Sequence, residues 1–375
     1  MQFVDLHRQF QAIEENLWAR TEAVYTHKQF IMGPEVAELE RRLSEYIGVK
    51  HALTCSSGTD ALVIALMALG VEQGDAVFVP SFTFFATAEA VSLAGAEPVF
   101  VDSDPHTMNI DPESLERAVE TTLSQGKLKP RGVIPVDLFG LPADYDRIRV
   151  VAEKHDLFIL EDAAQGFGAE YKGHRACGLG DIGATSFFPA KPLGCYGDGG
   201  AVFTDDDVLA ARMVSLREHG KGADRYENMR VGMNARLDTL QAAVLLAKLG
   251  ILNKEIEQRR HIAFEYTEKL VEAFGTPAEP EGCASCWAQY TLQARDEKQQ
   301  NAIVQTLKAR DIPVMIYYPV PVHLSTAYSH LRYLKGDLPV AEALSKTVFS
   351  IPIHPYLKPE ETELICSALL EAARG

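Results

Sequence analysis

The most reactive arrangement in the chain centres on Lys191. It lies between Pro189 and Pro192 in the apolar run Phe187-Phe-Pro-Ala-Lys-Pro-Leu. Two prolines so close exclude a regular helix. A lysine held among apolar groups loses solvation, its pKa falls, and the neutral amine that a Schiff base requires becomes available. Glycines at 194, 197, 199 and 200 let the chain turn tightly beneath it. A lysine on a surface turn is the plainer alternative.

A second arrangement is Leu160-Glu-Asp-Ala-Ala-Gln, where two acids close the apolar run Phe158-Ile-Leu. Charge at the end of a buried strand is costly unless a cation meets it. Either Glu161 or Asp162 caps a helix, or one of them holds a cationic ligand. The protonated heterocyclic nitrogen of an electron-sink cofactor would suit. A third is Cys55-Ser-Ser-Gly-Thr-Asp, where a strand runs into small residues and a helix starts near Thr59. Gly58 permits close backbone approach, and a helix start offers N–H groups to a phosphate. An ordinary capped helix has the same pattern. In Ser81-Phe-Thr-Phe-Phe-Ala-Thr an aromatic could stack on a flat ring, although core packing explains any one of the three. Arg217, His219, Lys221, Arg225, Arg230 and Arg236 form a basic stretch. It suits a phosphorylated or carboxylated ligand, or else is a solvated loop.

Strands alternating with helices must position these groups. Strands are expected at 51–55, 76–80, 98–102, 132–139, 157–160, 185–188 and 201–204. Helices are expected at 34–46, 60–68, 86–93 and 145–155, with a long one over 236–252. Continuous apolar strands imply an α/β fold with a mostly parallel sheet covered on both faces. In such sheets ligands gather at the carboxyl ends of strands, where the arrangements above fall. A smaller α+β unit follows, with strands at 288–293 and 314–318 and helices at 301–309, 340–346 and 362–373. The expected division is 1–250 for the large domain and 251–375 for the small one.

The chain has 375 residues, 47% apolar and 23% charged, as a globular protein of two or three domains has. Lys and Arg number 36 against 52 Asp and Glu, a net charge of −16. That balance argues against broad nucleic-acid binding and against anionic membrane surfaces. No signal peptide and no spanning segment is apparent. Six scattered cysteines suggest free thiols and a reducing cytoplasm. Cys283 and Cys286 lack the second pair that a metal site needs, so no metal is expected.

Gly58-Thr59, Glu161-Asp-Ala-Ala-Gln and Ser186 to Lys191, in that order, resemble the fold type I pyridoxal-phosphate enzymes. The chain is more closely similar to the DegT/DnrJ/StrS family of nucleotide-sugar aminotransferases. The resemblance runs from Phe30-Ile-Met-Gly-Pro through Lys191-Pro-Leu-Gly-Cys-Tyr-Gly-Asp-Gly-Gly and Met233-Asn-Ala-Arg-Leu-Asp to Ile353-His-Pro-Tyr-Leu. Within the family it looks most like the UDP-2-acetamido-3-oxo-glucuronate 3-aminotransferases, which share an Ala-Gln-Tyr-Thr strand, here Ala288 to Thr291.

The resemblance implies roles. The cofactor is pyridoxal 5′-phosphate. Lys191 is the lysine that bonds it and moves a proton, Asp162 the partner of its ring nitrogen, and Gln165 the neighbour of its phenolic oxygen. Gly58, Thr59 and Ser186 match the phosphate binders, and Phe84 the ring-stacking aromatic. Asn234 matches a phosphate ligand supplied across a homodimer interface. Arg236 and the basic loop, including Arg225, would then serve the nucleotide sugar or the amino donor, L-glutamate. Tyr317 and Tyr318 would face the sugar. Many relatives carry His-Tyr-Pro where this chain has Tyr317-Tyr-Pro, a departure near the sugar that leaves the cofactor residues untouched. The resemblance makes the enzyme a ping-pong aminotransferase acting on a keto sugar, with amination at C3 of the UDP-linked uronate first and a dTDP-linked 3-keto- or 4-keto-6-deoxyhexose as the alternative. Related dehydratases carry histidine at the lysine position, and Lys191 argues against that chemistry. A non-catalytic binding protein would show a basic appendage, and none is visible.

Overall fold

The architecture was obtained as a computed structural model, which describes residues 1–224 and 226–374. Its strands are β1 (His51–Cys55), β2 (Asp75–Pro80), β3 (Glu97–Val101), β4 (Lys129–Val133), β5 (Phe158–Asp162), β6 (Glu170–Tyr171), β7 (His174–Arg175), β8 (Ile182–Ser186), β9 (Gly200–Thr204), β10 (Cys283–Ala284), β11 (Tyr290–Gln293) and β12 (Val348–Ile351). The helices are α1 (Leu6–His27), α2 (Pro34–Ile47), α3 (Gly58–Ala68), α4 (Ala86–Leu93), α5 (Pro112–Gln125), α6 (Tyr145–His155), α7 (Asp207–Arg217), α8 (Thr239–Leu249), α9 (Leu252–Leu270), α10 (Glu297–Ala309), α11 (Pro339–Thr347) and α12 (Pro359–Arg374).

Seven strands form the main sheet in the order β1-β9-β8-β5-β4-β2-β3. From β8 to β3 neighbours run parallel, whereas β9 is antiparallel to both β1 and β8. All residues of β2 and β9 are buried, as expected of strands covered on both faces. Alternation along β2 sends Phe78 into one core, with Leu39, Ile148 and Leu245. Val77 and Val79 enter the opposite core, with Leu62, Val91 and Met213. A third core joins Tyr266, Tyr290, Ile303, Phe349 and Ile365 around the antiparallel pair β11–β12. Among the described residues no helix is long and apolar enough to cross a membrane.

Three expected elements differ. The run 132–139 is a strand only to Val133. Beyond it Asp137 N–H donates to Asp162 O at 3.0 Å, and the chain turns through a 3-10 helix at Leu138–Gly140. The expected strand 314–318 is absent, and only Met315 bridges to Ser350. Prolines at 313, 319 and 321 remove the donors that a longer ladder needs. The expected helix 236–252 starts at Thr239 after its N-cap Asp238 and breaks at Gly250 before α9. Helices α1, α5, α7 and α9 exist where no expectation was made.

Candidate active site

Strands β5 and β8 end beside the start of α3, and a cavity of about 570 Å³ opens there. Its lining includes Gly58, Thr59, Phe84, Asp162, Gln165, Ser186, Lys191, Tyr317 and Tyr318. Nine of the residues named from the sequence therefore meet in one place. The strand-end rule for parallel sheets accounts for it, since each follows an apolar run or lies on a segment packed over one.

Asp162 is 5% exposed. Its Oδ2 accepts from Thr87 Oγ1 at 2.8 Å and its Oδ1 from Ala164 N–H at 3.1 Å. Burial pushes its pKa up, against the lowering effect of those two hydrogen bonds and of the Lys191 charge. Such a carboxylate is best completed by a cation. Lys191 is half-buried, and burial lowers its pKa against the opposing charge of Asp162. Among the described residues its amine makes no hydrogen bond or ion pair, so the nitrogen is free for bonding. Its placement comes from the turn at 188–191, where Lys191 N–H donates to Phe188 O at 2.9 Å.

Gln165 is oriented from both ends. Its Oε1 accepts from Phe139 N–H at 2.7 Å, and its Nε2 donates to Tyr318 Oη at 3.0 Å. Burial raises the Tyr318 pKa. At the opposite end, Ser57 caps α3 by accepting from Asp60 N–H at 3.0 Å. The helix begins at Gly58, and a Cβ on that residue would lie 2.6 Å from Ser186 Cβ. Only glycine lets the helix start come so close to the end of β8. Ser186 Oγ accepts from Phe188 N–H at 3.2 Å, which leaves its proton to donate. Phe84 is 56% exposed at the cavity wall and tilts against Tyr318 with ring centroids 6.2 Å apart.

Other residues named from the sequence lie elsewhere. Asn234 and Arg236 do not line this cavity; Asn234 Oδ1 accepts from Arg236 Nε at 3.0 Å and Nη2 at 2.6 Å. Arg225 lies outside the described residues. Arg217 is not available to an anionic ligand. It is 4% exposed and pairs with Glu40 Oε1 at 2.6 Å and Thr54 O at 2.9 Å. Its position at the end of α7, between α2 and β1, makes it part of the packing. Sequence reasoning missed Thr87, which lies in the quoted run after β2 but carries no signal of its bond to Asp162. It also missed Gln289, a lining residue from the segment before β11.

The DegT/DnrJ/EryC1/StrS aminotransferase family matches residues 11–370. The chain belongs to that family. It is 45% identical over 370 residues to the UDP-2-acetamido-2-deoxy-3-oxo-D-glucuronate aminotransferase of Pseudomonas aeruginosa, covering 98% of this chain and 99% of the relative. A crystal structure of a DegT DnrJ EryC1 StrS aminotransferase from Brucella abortus superposes with a TM-score of 0.95 at 50% identity, covering 99% of each chain. Spr1654 from Streptococcus pneumoniae, solved in a PLP form, superposes at 0.89 with 25% identity over 96% of each chain. This aminotransferase therefore has the fold type I architecture of pyridoxal-phosphate transferases, with its mixed, mostly parallel sheet. The cavity fits pyridoxal phosphate on its own chemistry. It holds a buried carboxylate lacking a cation, a free amine, and a glycine-tight helix start for an anion.

Proposed function

We propose that this chain is a pyridoxal 5′-phosphate-dependent aminotransferase. It moves the amino group of L-glutamate to C3 of UDP-2-acetamido-2-deoxy-3-oxo-glucuronate. The observation that carries the reading is the free Lys191 amine sharing one cavity with buried Asp162. The near-full-length identity to the Pseudomonas aeruginosa enzyme supports the substrate.

When bound, the cofactor supplies an aldehyde for amines and an electron-withdrawing ring. Asp162 keeps a proton on the ring nitrogen, and Thr87 and Ala164 hold the carboxylate in place for it. Gln165, whose Oε1 is held by Phe139 N–H, would present its Nε2 to the phenolic oxygen. Ser186 Oγ and the first N–H groups of α3, at Gly58 and Thr59, take the phosphate. Phe84 would cover one face of the ring. Lys191 Nζ, whose pKa burial lowers, would carry the proton that leaves and rejoins the substrate carbon. In a homodimer, Asn234, Arg236 and the basic loop of one copy complete the site of the other, and Tyr317 faces the sugar.

The half-reaction run backwards tests this. UDP-2-acetamido-3-amino-glucuronate is added to the loaded enzyme without a keto acid, and the cofactor absorbance is followed. The reading expects rapid conversion to the pyridoxamine form. Conversion by L-glutamate alone would keep the aminotransferase and reject the sugar, directing the search to 3-amino and 4-amino dTDP sugars.

A further inference from the structure

Gln289 has no part in the reaction as set out, yet its side chain is left with an unmet demand. Its Oε1 is buried without a hydrogen-bond partner among the described residues. Two positions earlier Trp287, 6% exposed, has its indole Nε1 buried and equally unpartnered. Leaving such an atom unpaired is costly. One is an acceptor and the other a donor. Both residues line the same small cavity of about 20 Å³, together with Ser285 and Thr291. About 10–15 Å³ is enough to hold one water, provided it finds two to four polar partners. A water can accept from an indole N–H while donating to an amide oxygen.

The backbone fixes both ends of this arrangement. Cys286 N–H donates to Gly140 O at 3.0 Å and Gln289 N–H to Phe139 O at 3.3 Å. Gly140, at φ +97°, allows the approach, since a Cβ there would lie 2.8 Å from Ala288 N. The Trp287 indole stacks on Tyr290 with ring centroids 5.7 Å apart. Gln289 also lines the 570 Å³ cavity that holds Lys191. Of the lining residues beyond 251, Tyr318 is already engaged with Gln165, which leaves Gln289 and Tyr317 to meet a substrate.

We propose that one water bridges Trp287 Nε1–H to Gln289 Oε1, and that this bridge turns the Gln289 amide so that Nε2–H donates to an oxygen of the keto sugar. The proposal rests on the aminotransferase reading above. A neutral amide suits a carbonyl or hydroxyl oxygen of the sugar, whereas the carboxylates of glutamate call for cations. Gln289 is thus a specificity residue, and Trp287 acts through it.

A crystal structure of the cofactor-loaded enzyme tests the bridge directly. A water within about 3.2 Å of both atoms is expected. Density showing either atom paired with protein instead overturns it, whatever the substrate proves to be. Kinetics test the consequence. Gln289→Leu removes the amide at similar volume, and Trp287→Phe removes only the donor. Each raises the KM for the sugar roughly tenfold, the worth of one hydrogen bond, with smaller changes in kcat and in the KM for glutamate. The double variant is no worse than Gln289→Leu, because both act along one path. An equal rise in the KM for glutamate would overturn the sugar assignment. So would a Gln289→Leu enzyme that keeps its KM for the sugar. Failure of glutamate to convert the wild-type cofactor would reject the functional reading itself, a result separate from the density.

Discussion

Glu161 and Asp162 are consecutive, both acidic and both buried at the end of β5, yet they do opposite things. Alternation along a strand sends them to opposite faces of the sheet. Glu161 is enclosed by protein. Its Oε1 accepts from Cys177 N–H at 2.5 Å and its Oε2 from Leu179 N–H at 2.8 Å, and the Asp137 carboxyl is its titrating neighbour. Asp162 has two donors, Thr87 and Ala164, and faces a cavity. The residue with every hydrogen bond closed supports structure, whereas the one with an open side has capacity left for a ligand. Burial and acidity are shared, so neither tells the two apart. What distinguishes them is whether the protein itself completes the hydrogen bonds.

That contrast predicts which property each substitution disturbs. Glu161→Ala strands two backbone N–H groups and removes the partner of Asp137. It should cost about 3–5 kcal/mol of folding stability, a large part of a typical total of about 5–15. Urea unfolding measures the loss, and turnover per folded molecule should stay within a few-fold. Asp162→Asn keeps the shape and can still bond Thr87 and Ala164 but removes the charge. The melting temperature should hardly move, while kcat falls by about 10²–10³-fold, as when one preorganised electrostatic partner is lost. If Asp162→Asn unfolds the protein or Glu161→Ala abolishes turnover in folded enzyme, the division between the two faces is wrong.

Residue types placed the acids at a strand end but left open which of them is functional, because parity along the strand depends on register against β4 and β8; only the family resemblance singled out Asp162. The lysine was legible from its two prolines, and the phosphate end from a strand meeting small residues. Arg217 was misread among its basic neighbours because its partner Glu40 is 177 positions away. Thr87 was invisible for the same reason, since its role comes from a contact made across the fold. Helix α1 escaped notice because its buried positions, Gln9, Ile13, Leu17 and Val24, are few and include a polar residue. The strand expected at 314–318 failed because β propensity outweighed the flanking prolines in the reading.

A further expected effect concerns Asp137, the titrating neighbour of Glu161. Its Oδ1 accepts from Tyr145 Oη at 2.9 Å and Ala143 N–H at 3.2 Å. Among the described residues no N–H or O–H reaches Oδ2. Full burial and the neighbouring Glu161 carboxylate both raise the Asp137 pKa, so the folded chain holds its proton to higher pH than the unfolded chain, which releases it near pH 4. Above that pH the folded state binds more protons than the unfolded state, and this site's contribution to stability declines as pH rises. Asp137→Asn preserves the hydrogen bonds, with its amide donating to Glu161, and removes the titration. The variant should gain on the wild type by at most about 1.4 kcal/mol for each pH unit between 5 and 8, read from urea unfolding across that range. A parallel pair of stability curves would mean that Asp137 does not hold its proton above the range of the unfolded chain.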